Sequence, residues 1–144
     1  MSFHVVLDTN VLYAALKSRL GASRYLIDRV LARRVHAHVS VPLVLEYEAV
    51  LTRDANALGI SPREARIVIA ALLEATDRHE VYFRWPSHVR DPDDAHVLET
   101  AIAASCQHLV TFNKRDFHQA HVFNIQLLTP REYLEQVHFP SEKR

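Results

Sequence analysis

An aspartate stands directly after the first apolar run of this 144-residue chain, in Val5-Val6-Leu7-Asp8. An ionised carboxylate is rarely buried unless it is paired or bound to a metal, so Asp8 needs a partner. Further acids occupy similar junctions next to apolar segments: Glu46, Asp91, Asp93, Asp94 and Asp116. Residues beyond the carboxyl ends of parallel strands converge on one crevice. The pattern therefore predicts that acids from distant parts of the chain form a divalent-cation site.

Helix capping is the alternative explanation of each motif taken alone. Asp8 and Thr9 are preferred N-cap residues, and Asp91-Pro92-Asp93-Asp94 places acids and a proline where a helix start favours them. Capping does not explain why acids recur at several junctions between strands and helices. Mg²⁺ and Mn²⁺ prefer carboxylate oxygens and water, and they activate water and stabilise charge on a phosphodiester. We therefore favour a metal site, in which Thr9 and Asn10 orient the water or a ligand.

The elements that must position these acids alternate along the chain. The apolar and turn patterns predict strands over 3–7, 35–41, 81–83, 108–112 and 125–128. They predict helices over 10–18, 21–31, 42–51, 62–77, 91–105 and 130–137. Such alternation favours a three-layer α/β/α fold with a central parallel sheet of about five strands. No repeat or linker interrupts it, so we expect one domain over residues 1–139 and a frayed tail over 140–144.

Composition excludes several classes of protein. The chain carries 17 basic and 17 acidic residues, which does not match the basic footprint of a DNA-coating protein. Its two glycines, Gly21 and Gly59, are too far apart for a P-loop or a dinucleotide fingerprint. No apolar run is long enough to span a membrane, and no secretory signal is evident. The single cysteine, Cys106, lies in an apolar stretch, and we expect a buried, reduced thiol in a cytoplasmic protein.

Histidine and basic residues give weaker signals. His36 and His38 share one side of a predicted strand, but no cysteine spacing or His-Glu-x-x-His motif accompanies them, so no zinc site is expected. His96, beside the acidic helix start, is expected to face phosphate or solvent. Lys114 and Arg115 belong to a basic cluster near the fourth strand and are candidate RNA contacts.

The chain resembles the PIN-domain family, and within it the VapC-type toxins. Four segments carry the resemblance, and together they span nearly the whole chain: VVLDTNVLYAAL, VPLVLEYEAVL, RDPDDAHVLETAIAA and LVTFNKRDF. The first and third segments are specific, whereas the second is a loose match. The family's first three acids match Asp8, Glu46 and Asp94, and Asp91 is an auxiliary acid in the same block.

The fourth acid departs from the commonest family pattern. Many relatives carry an aspartate two residues after the strand-ending threonine, where this chain has Asn113. Others carry asparagine there and an aspartate three residues later, and this chain matches that variant. Asp116 therefore inherits the role, and Asn113 becomes an auxiliary ligand through its carbonyl or through water.

The resemblance implies a PIN-like nuclease that cleaves RNA phosphodiesters with Mg²⁺ or Mn²⁺ held by Asp8, Glu46, Asp94 and Asp116. It also implies a toxin held inactive by a small antitoxin protein, and a homodimer. One alternative is a catalytically degenerate PIN scaffold that binds RNA or a protein partner, which Asn113 favours. A phosphoacceptor that uses Asp8 is a second alternative, for which Thr111 and Lys114 supply a poor match.

Overall fold

The computed structural model describes residues 3–137 of the chain. Its five strands are β1 (His4–Leu7), β2 (His36–Val39), β3 (Thr76–Arg78), β4 (His108–Val110) and β5 (Gln126–Leu128). Its α-helices are α1 (Thr9–Lys17), α2 (Ala22–Leu31), α3 (Val41–Arg53), α4 (Pro62–Glu74), α5 (Ala95–Ala103) and α6 (Pro130–Gln136). Single turns of 3₁₀ helix cover Pro86–His88, Pro92–Asp94, Lys114–Phe117 and Ala120–Phe123. The expected tail over 140–144 lies outside the described residues.

The strands form one parallel sheet in the order β3-β2-β1-β4-β5. The chain builds outward from β1 to β3 on one side, then returns to place β4 on the other side of β1. The strand order therefore reverses between β1 and β4, which is where open α/β sheets form their binding crevice. Leu7 is level with Val110 in the sheet, so these two strands end side by side.

Both faces of the sheet are covered. Successive side chains of a strand point to alternate faces of the sheet. Val5, Val6 and Leu7 are all buried, so both faces of β1 are covered. Helix α5 packs across β1, β2 and β4, and the remaining helices pack on one another through the α1–α2, α3–α4 and α2–α6 contacts. Burial of both faces explains why the central strand β1 contains a continuous apolar run. The predicted three-layer α/β/α fold is confirmed.

A capping box stabilises the start of α4. The Glu64 backbone N–H donates to Ser61 Oγ at 3.0 Å, and Glu64 Oε1 accepts from the Ser61 backbone N–H at 2.8 Å, which completes the capping box. Cys106 is buried as expected, and burial raises the pKa of its thiol to about 12. No helix among residues 3–137 is both long and apolar enough to cross a membrane.

The predicted third strand over 81–83 is wrong. The strand is Thr76–Arg78, because α4 ends at Glu74 instead of continuing to Asp77. Residues 81–83 are not in the sheet, and Tyr82 and Phe83 are 65% and 51% exposed. The buried Glu99 carboxylate accepts hydrogen bonds from the next two backbone amides, those of Arg84 and Trp85, at 2.8 and 3.0 Å. A carboxylate from α5 thus replaces the expected strand partner.

Two further element boundaries differ from the prediction. The second strand stops at Val39 because Ser40 caps α3, where Ser40 Oγ accepts from the Leu43 backbone N–H. The helix predicted over 91–105 is a 3₁₀ turn followed by α5, which ends at Ala103. Asp91 caps only the 3₁₀ turn, by accepting from the Asp93 backbone N–H at 3.0 Å.

Imidazole rings line up across the amino-terminal part of β1 and β2 and the end of β3. His38 Nε2 lies 2.8 Å from His4 Nδ1, and His38 Nδ1 lies 2.8 Å from His79 Nε2. The His36 ring stacks on His4. His38 is 5% exposed, and burial together with the neighbouring His79 and His4 lowers its pKa to about 4.

This cluster makes stability depend on pH. The pKa of His38 is about 4 in the folded chain against an ordinary value of 6.5. Between these values the unfolded chain binds more protons, so stability is lost as the pH falls. We expect the free energy of unfolding to drop by on the order of 1 kcal/mol from pH 7 to 5. Solvent around the exposed histidine rings and the charge of Asp77 limit the cost of protonating His38.

Urea unfolding of the wild type and His38→Leu at both pH values measures this contribution. The wild type should lose more stability than His38→Leu as the pH falls. His121→Leu, at an exposed histidine, is the control and should behave like the wild type. Equal pH dependence in the wild type and His38→Leu would contradict the prediction.

Candidate metal centre

A cavity of about 310 Å³ lies at the carboxyl edge of the sheet, beside the point where the strand order reverses. The four acids singled out in the sequence all line it: Asp8, Glu46, Asp94 and Asp116. Thr9, Asn10 and Asn113 also line it. Four further lining residues were not anticipated: Tyr13, Val50, Arg53 and Asp54. The fold thus brings together acids that are separated by up to 108 positions in sequence (116 minus 8).

Asp8 is fixed by the neighbouring strand and by its own helix. Its backbone N–H donates to Val110 O at 2.9 Å, so the parallel pairing continues past the end of β1. Asp8 Oδ2 accepts from Thr111 Oγ1 at 2.7 Å, and Oδ1 accepts from the Thr9 backbone N–H at 2.8 Å. The side chain therefore both caps α1 and faces the cavity. Burial raises the pKa of Asp8, although these two hydrogen bonds oppose the shift.

Helix α3 positions Glu46 through its buried neighbour Tyr47. The Tyr47 hydroxyl donates to Leu7 O at 2.5 Å, which ties this helix to the last residue of β1. Glu46 Oε2 accepts from Thr9 Oγ1, and Oε1 lies 3.2 Å from His96 Nε2. Burial alone would raise the pKa of Glu46, but contacts with His96 and Thr9 outweigh it and lower the pKa.

The sequence predicted that His96 would face phosphate or solvent. In the structure its side chain does not face solvent, because it is 7% exposed and contacts Glu46. Burial would lower its pKa, yet the Glu46 carboxylate outweighs burial and raises it. The contact therefore favours the ionised form of Glu46 and the protonated form of His96. The hydrogen bond from Thr9 orients the Glu46 carboxylate.

Asp94 is the acid whose pKa is raised by all three of its predicted partners in the cavity, Asp8, Glu46 and Asp116. It ends the 3₁₀ turn before α5, where its backbone N–H donates to Asp91 O at 2.8 Å. Burial, together with the charges of Asp8, Asp116, Asp91 and Glu46, raises the pKa of Asp94 to about 6. Several carboxylates that share a site without a cation repel one another, and this repulsion raises the pKa.

The fourth acid comes from the segment after β4. Asp116 lies in the 3₁₀ turn Lys114–Phe117, and its backbone N–H donates to Asn113 O at 3.0 Å. The Asn113 backbone N–H donates to Thr111 Oγ1 at 2.9 Å, so one threonine orients both this segment and Asp8. Asn10 completes the rim, where its side-chain oxygen accepts from the Phe112 backbone N–H at 3.4 Å.

The donor set suits a hard divalent cation. Carboxylate and amide oxygens dominate the cavity, and the lining cation Arg53 is already paired with Asp54 at 2.9 Å. As the side chains stand, no three of the His, Cys, Asp or Glu residues within 3–137 are arranged to hold a metal ion together. Mg²⁺ commonly takes only one or two protein carboxylates and completes its shell with water and substrate oxygens. The residues therefore fit a cation of this kind, but not one that requires a closed all-protein cage.

Two other residues singled out in the sequence, Asp91 and Lys114, do not line the acidic cavity. Asp91 is exposed and does not line the acidic cavity, although its charge acts on Asp94. Lys114 Nζ forms an ion pair with Glu132 Oε1 at 2.6 Å, so its charge is partly used within the chain.

The chain is thus a three-layer α/β/α domain with an acidic cavity where the strand order reverses. A family model described as a PIN domain matches residues 4–115, and the chain belongs to the PIN-domain family.

The crystal structure of VapBC2 from Rickettsia felis bound to a DNA fragment from their promoter resembles this chain, with a TM-score of 0.59. The two sequences are 14% identical over 88% of this chain and 98% of that chain. This likeness shows the shared fold. No curated protein matches the sequence significantly.

Proposed function

We propose that the protein is a Mg²⁺- or Mn²⁺-dependent endoribonuclease. The observation that carries the proposal is the convergence of Asp8, Glu46, Asp94 and Asp116 on one cavity, where burial and the repulsion of the neighbouring acids together raise the pKa of Asp94 to about 6. Acids that serve only as helix caps do not need to lie close enough to repel one another. In a metal site, the bound cation compensates this repulsion. Membership of the PIN-domain family supports the same reaction class.

Asp8, Asp94 and Asp116 would hold the cation, with Glu46 as the fourth acid. A bound divalent cation lowers the pKa of water and stabilises the charge that develops on a phosphodiester. Thr111 and Thr9 hold Asp8 and Glu46 in place, and the His96 contact keeps Glu46 ionised. Asn113 offers its side-chain amide at the rim as a neutral oxygen donor.

The partners follow from the resemblance. We infer a toxin of a toxin–antitoxin pair, with an RNA substrate, a small antitoxin protein and a homodimeric state in the cytoplasm. The fold shared with a VapBC2 structure supports an antitoxin partner. One PIN domain would occupy residues 1–139, since the family match covers 4–115 and α6 continues the same sheet-covering layer.

A degenerate PIN scaffold that binds RNA or a protein without cleavage is the second candidate. The feature that favours it is Asn113, which stands where many relatives carry an acid. Asp116 lines the same cavity and restores the fourth negative charge, and for this reason we prefer the nuclease.

Incubation of the purified chain with a defined single-stranded RNA tests the activity. Cleavage should require added Mg²⁺ or Mn²⁺ and should stop with EDTA. Asp94→Asn, purified in the same way, controls for contaminating nucleases. RNA binding without cleavage under every metal condition would favour the scaffold.

A further inference from the structure

A second cavity, of about 430 Å³, adjoins the acidic one. The two cavities share Asn113 and Asp116, so a ligand can pass from one to the other without leaving the protein surface. The second cavity is within the size range of small-ligand sites, about 300–1,000 Å³. Its remaining lining includes an aromatic ring, Phe112, and two arginines, Arg90 and Arg115.

Phe112 presents an apolar ring beside a site full of charge. Its side chain is 48% exposed, although the preceding residue, Thr111, is completely buried. Hydrogen bonds hold the backbone on both sides of the ring: the Phe112 N–H donates to Asn10, and the Asn113 N–H donates to Thr111. The ring is therefore exposed on a fixed segment of backbone. Stacking of a nucleic-acid base on such a ring contributes about 1–3 kcal/mol.

Arg90 and Arg115 supply positive charge to the same cavity. Both side chains are exposed, and within residues 3–137 their guanidinium groups form no hydrogen bond or ion pair. The Arg90 backbone N–H donates to Asp116 O at 2.9 Å, which joins the two loops that carry these arginines. Lys114, by contrast, is paired with Glu132. The second cavity thus combines free guanidinium groups with an aromatic face, next to a cavity of opposite charge.

From this arrangement, and on the basis of the proposed ribonuclease function, we propose that the second cavity binds one unstacked nucleotide of a single-stranded RNA, next to the phosphodiester in the acidic cavity. The base stacks on Phe112, and its phosphate pairs with Arg90 and Arg115. Guanidinium groups bind phosphate through directed hydrogen bonds and charge. A base in a duplex is stacked on its neighbours and cannot reach the ring, so the site selects single strands.

Binding of a labelled ten-nucleotide single-stranded RNA in EDTA tests the site separately from cleavage. Phe112→Ala should weaken binding by roughly 5- to 100-fold, and Phe112→Tyr should restore it. A fully abasic strand of the same length should bind weakly, and should not distinguish Phe112→Ala from the wild type. Val122→Ala, which removes exposed apolar surface elsewhere, is the control for Phe112→Ala.

Salt titration tests the arginines. Arg90→Ala and Arg115→Ala should each lower the slope of log K against log[salt] by roughly 0.7, the value for one phosphate of a single strand. Arg66→Ala, on α4 and outside the linings of both cavities, should leave the slope unchanged.

The outcomes separate the two proposals. RNA binding that depends on Phe112, without metal-dependent cleavage, keeps the nucleotide site and overturns the nuclease. If the protein cleaves RNA but Phe112→Ala binds RNA as tightly as the wild type, the nucleotide site is overturned. Equal affinity of the wild type for duplex and single-stranded RNA also overturns it. Retained RNA affinity together with lost binding of a purified antitoxin by Phe112→Ala also overturns it, since the ring then serves a protein.

Discussion

Replacement of Asp94 by asparagine is expected to abolish metal-dependent RNA cleavage while it stabilises the metal-free protein. A cation provides several kcal/mol of transition-state stabilisation, so loss of one of its acids should reduce the rate about a hundredfold or more. The pKa of Asp94 is raised to about 6, so its ionised form costs stability at any pH above that value. Removal of the charge at pH 8 should add about 1 kcal/mol, after allowance for solvent screening.

Cleavage assays and thermal unfolding in EDTA measure both effects. Added Mg²⁺ should stabilise the wild type much more than Asp94→Asn, because a ligand stabilises only the state that binds it. Asp93→Asn is the matched control, since Asp93 is an exposed neighbour outside the acidic cavity. Undiminished Mg²⁺-dependent cleavage by Asp94→Asn would rule out the proposed site, and a fall in its EDTA stability would contradict the repulsion.

Asp116→Ala is expected to weaken metal binding and cleavage by about 10- to 100-fold, and Asn113→Ala by less. Both residues line the acidic cavity, but only the carboxylate adds charge to the attraction for a dication. Asp116 is also one of the acids that raise the pKa of Asp94. Asn113→Asp adds a charge at the same rim and should retain or increase activity.

Calorimetric titration with Mn²⁺, alongside cleavage of one defined RNA, decides between the two positions. Circular dichroism of each variant checks that the fold is retained. Wild-type behaviour of Asp116→Ala, combined with a loss in Asn113→Ala, would assign the fourth position to Asn113 instead.

The sequence predicted those parts of the fold that depend on local pattern. Buried parallel strands are short apolar runs, and capping motifs such as Ser61 with Glu64 mark helix starts, so both can be read locally. Strand β3 was missed because an edge strand of sequence Thr-Asp-Arg carries no apolar signal. Val81-Tyr82-Phe83 has higher strand propensity, yet that propensity depends on packing that the chain does not provide there.

The predicted acids do line one cavity, but the contacts that fix them were not predicted. Thr111 donates to Asp8 across 103 positions of sequence, and His96 contacts Glu46 from another helix. Nothing in the local spacing of these residues indicates such pairs. The ion pair between Lys114 and Glu132 was also not predicted, because its partner lies 18 positions away (132 minus 114) in α6.

The reversal of strand order between β1 and β4 also determines when the site can form during synthesis. Asp8 is made before its hydrogen-bond donor Thr111 and the acid Asp116, which come more than 100 positions later. At about 5–20 residues per second, a ribosome needs on the order of 5–20 s to bridge that gap. A nascent chain that stops before β4 lacks part of the acidic cavity. The topology therefore delays any cleavage activity until β4 and the segment that carries Asp116 have left the ribosome.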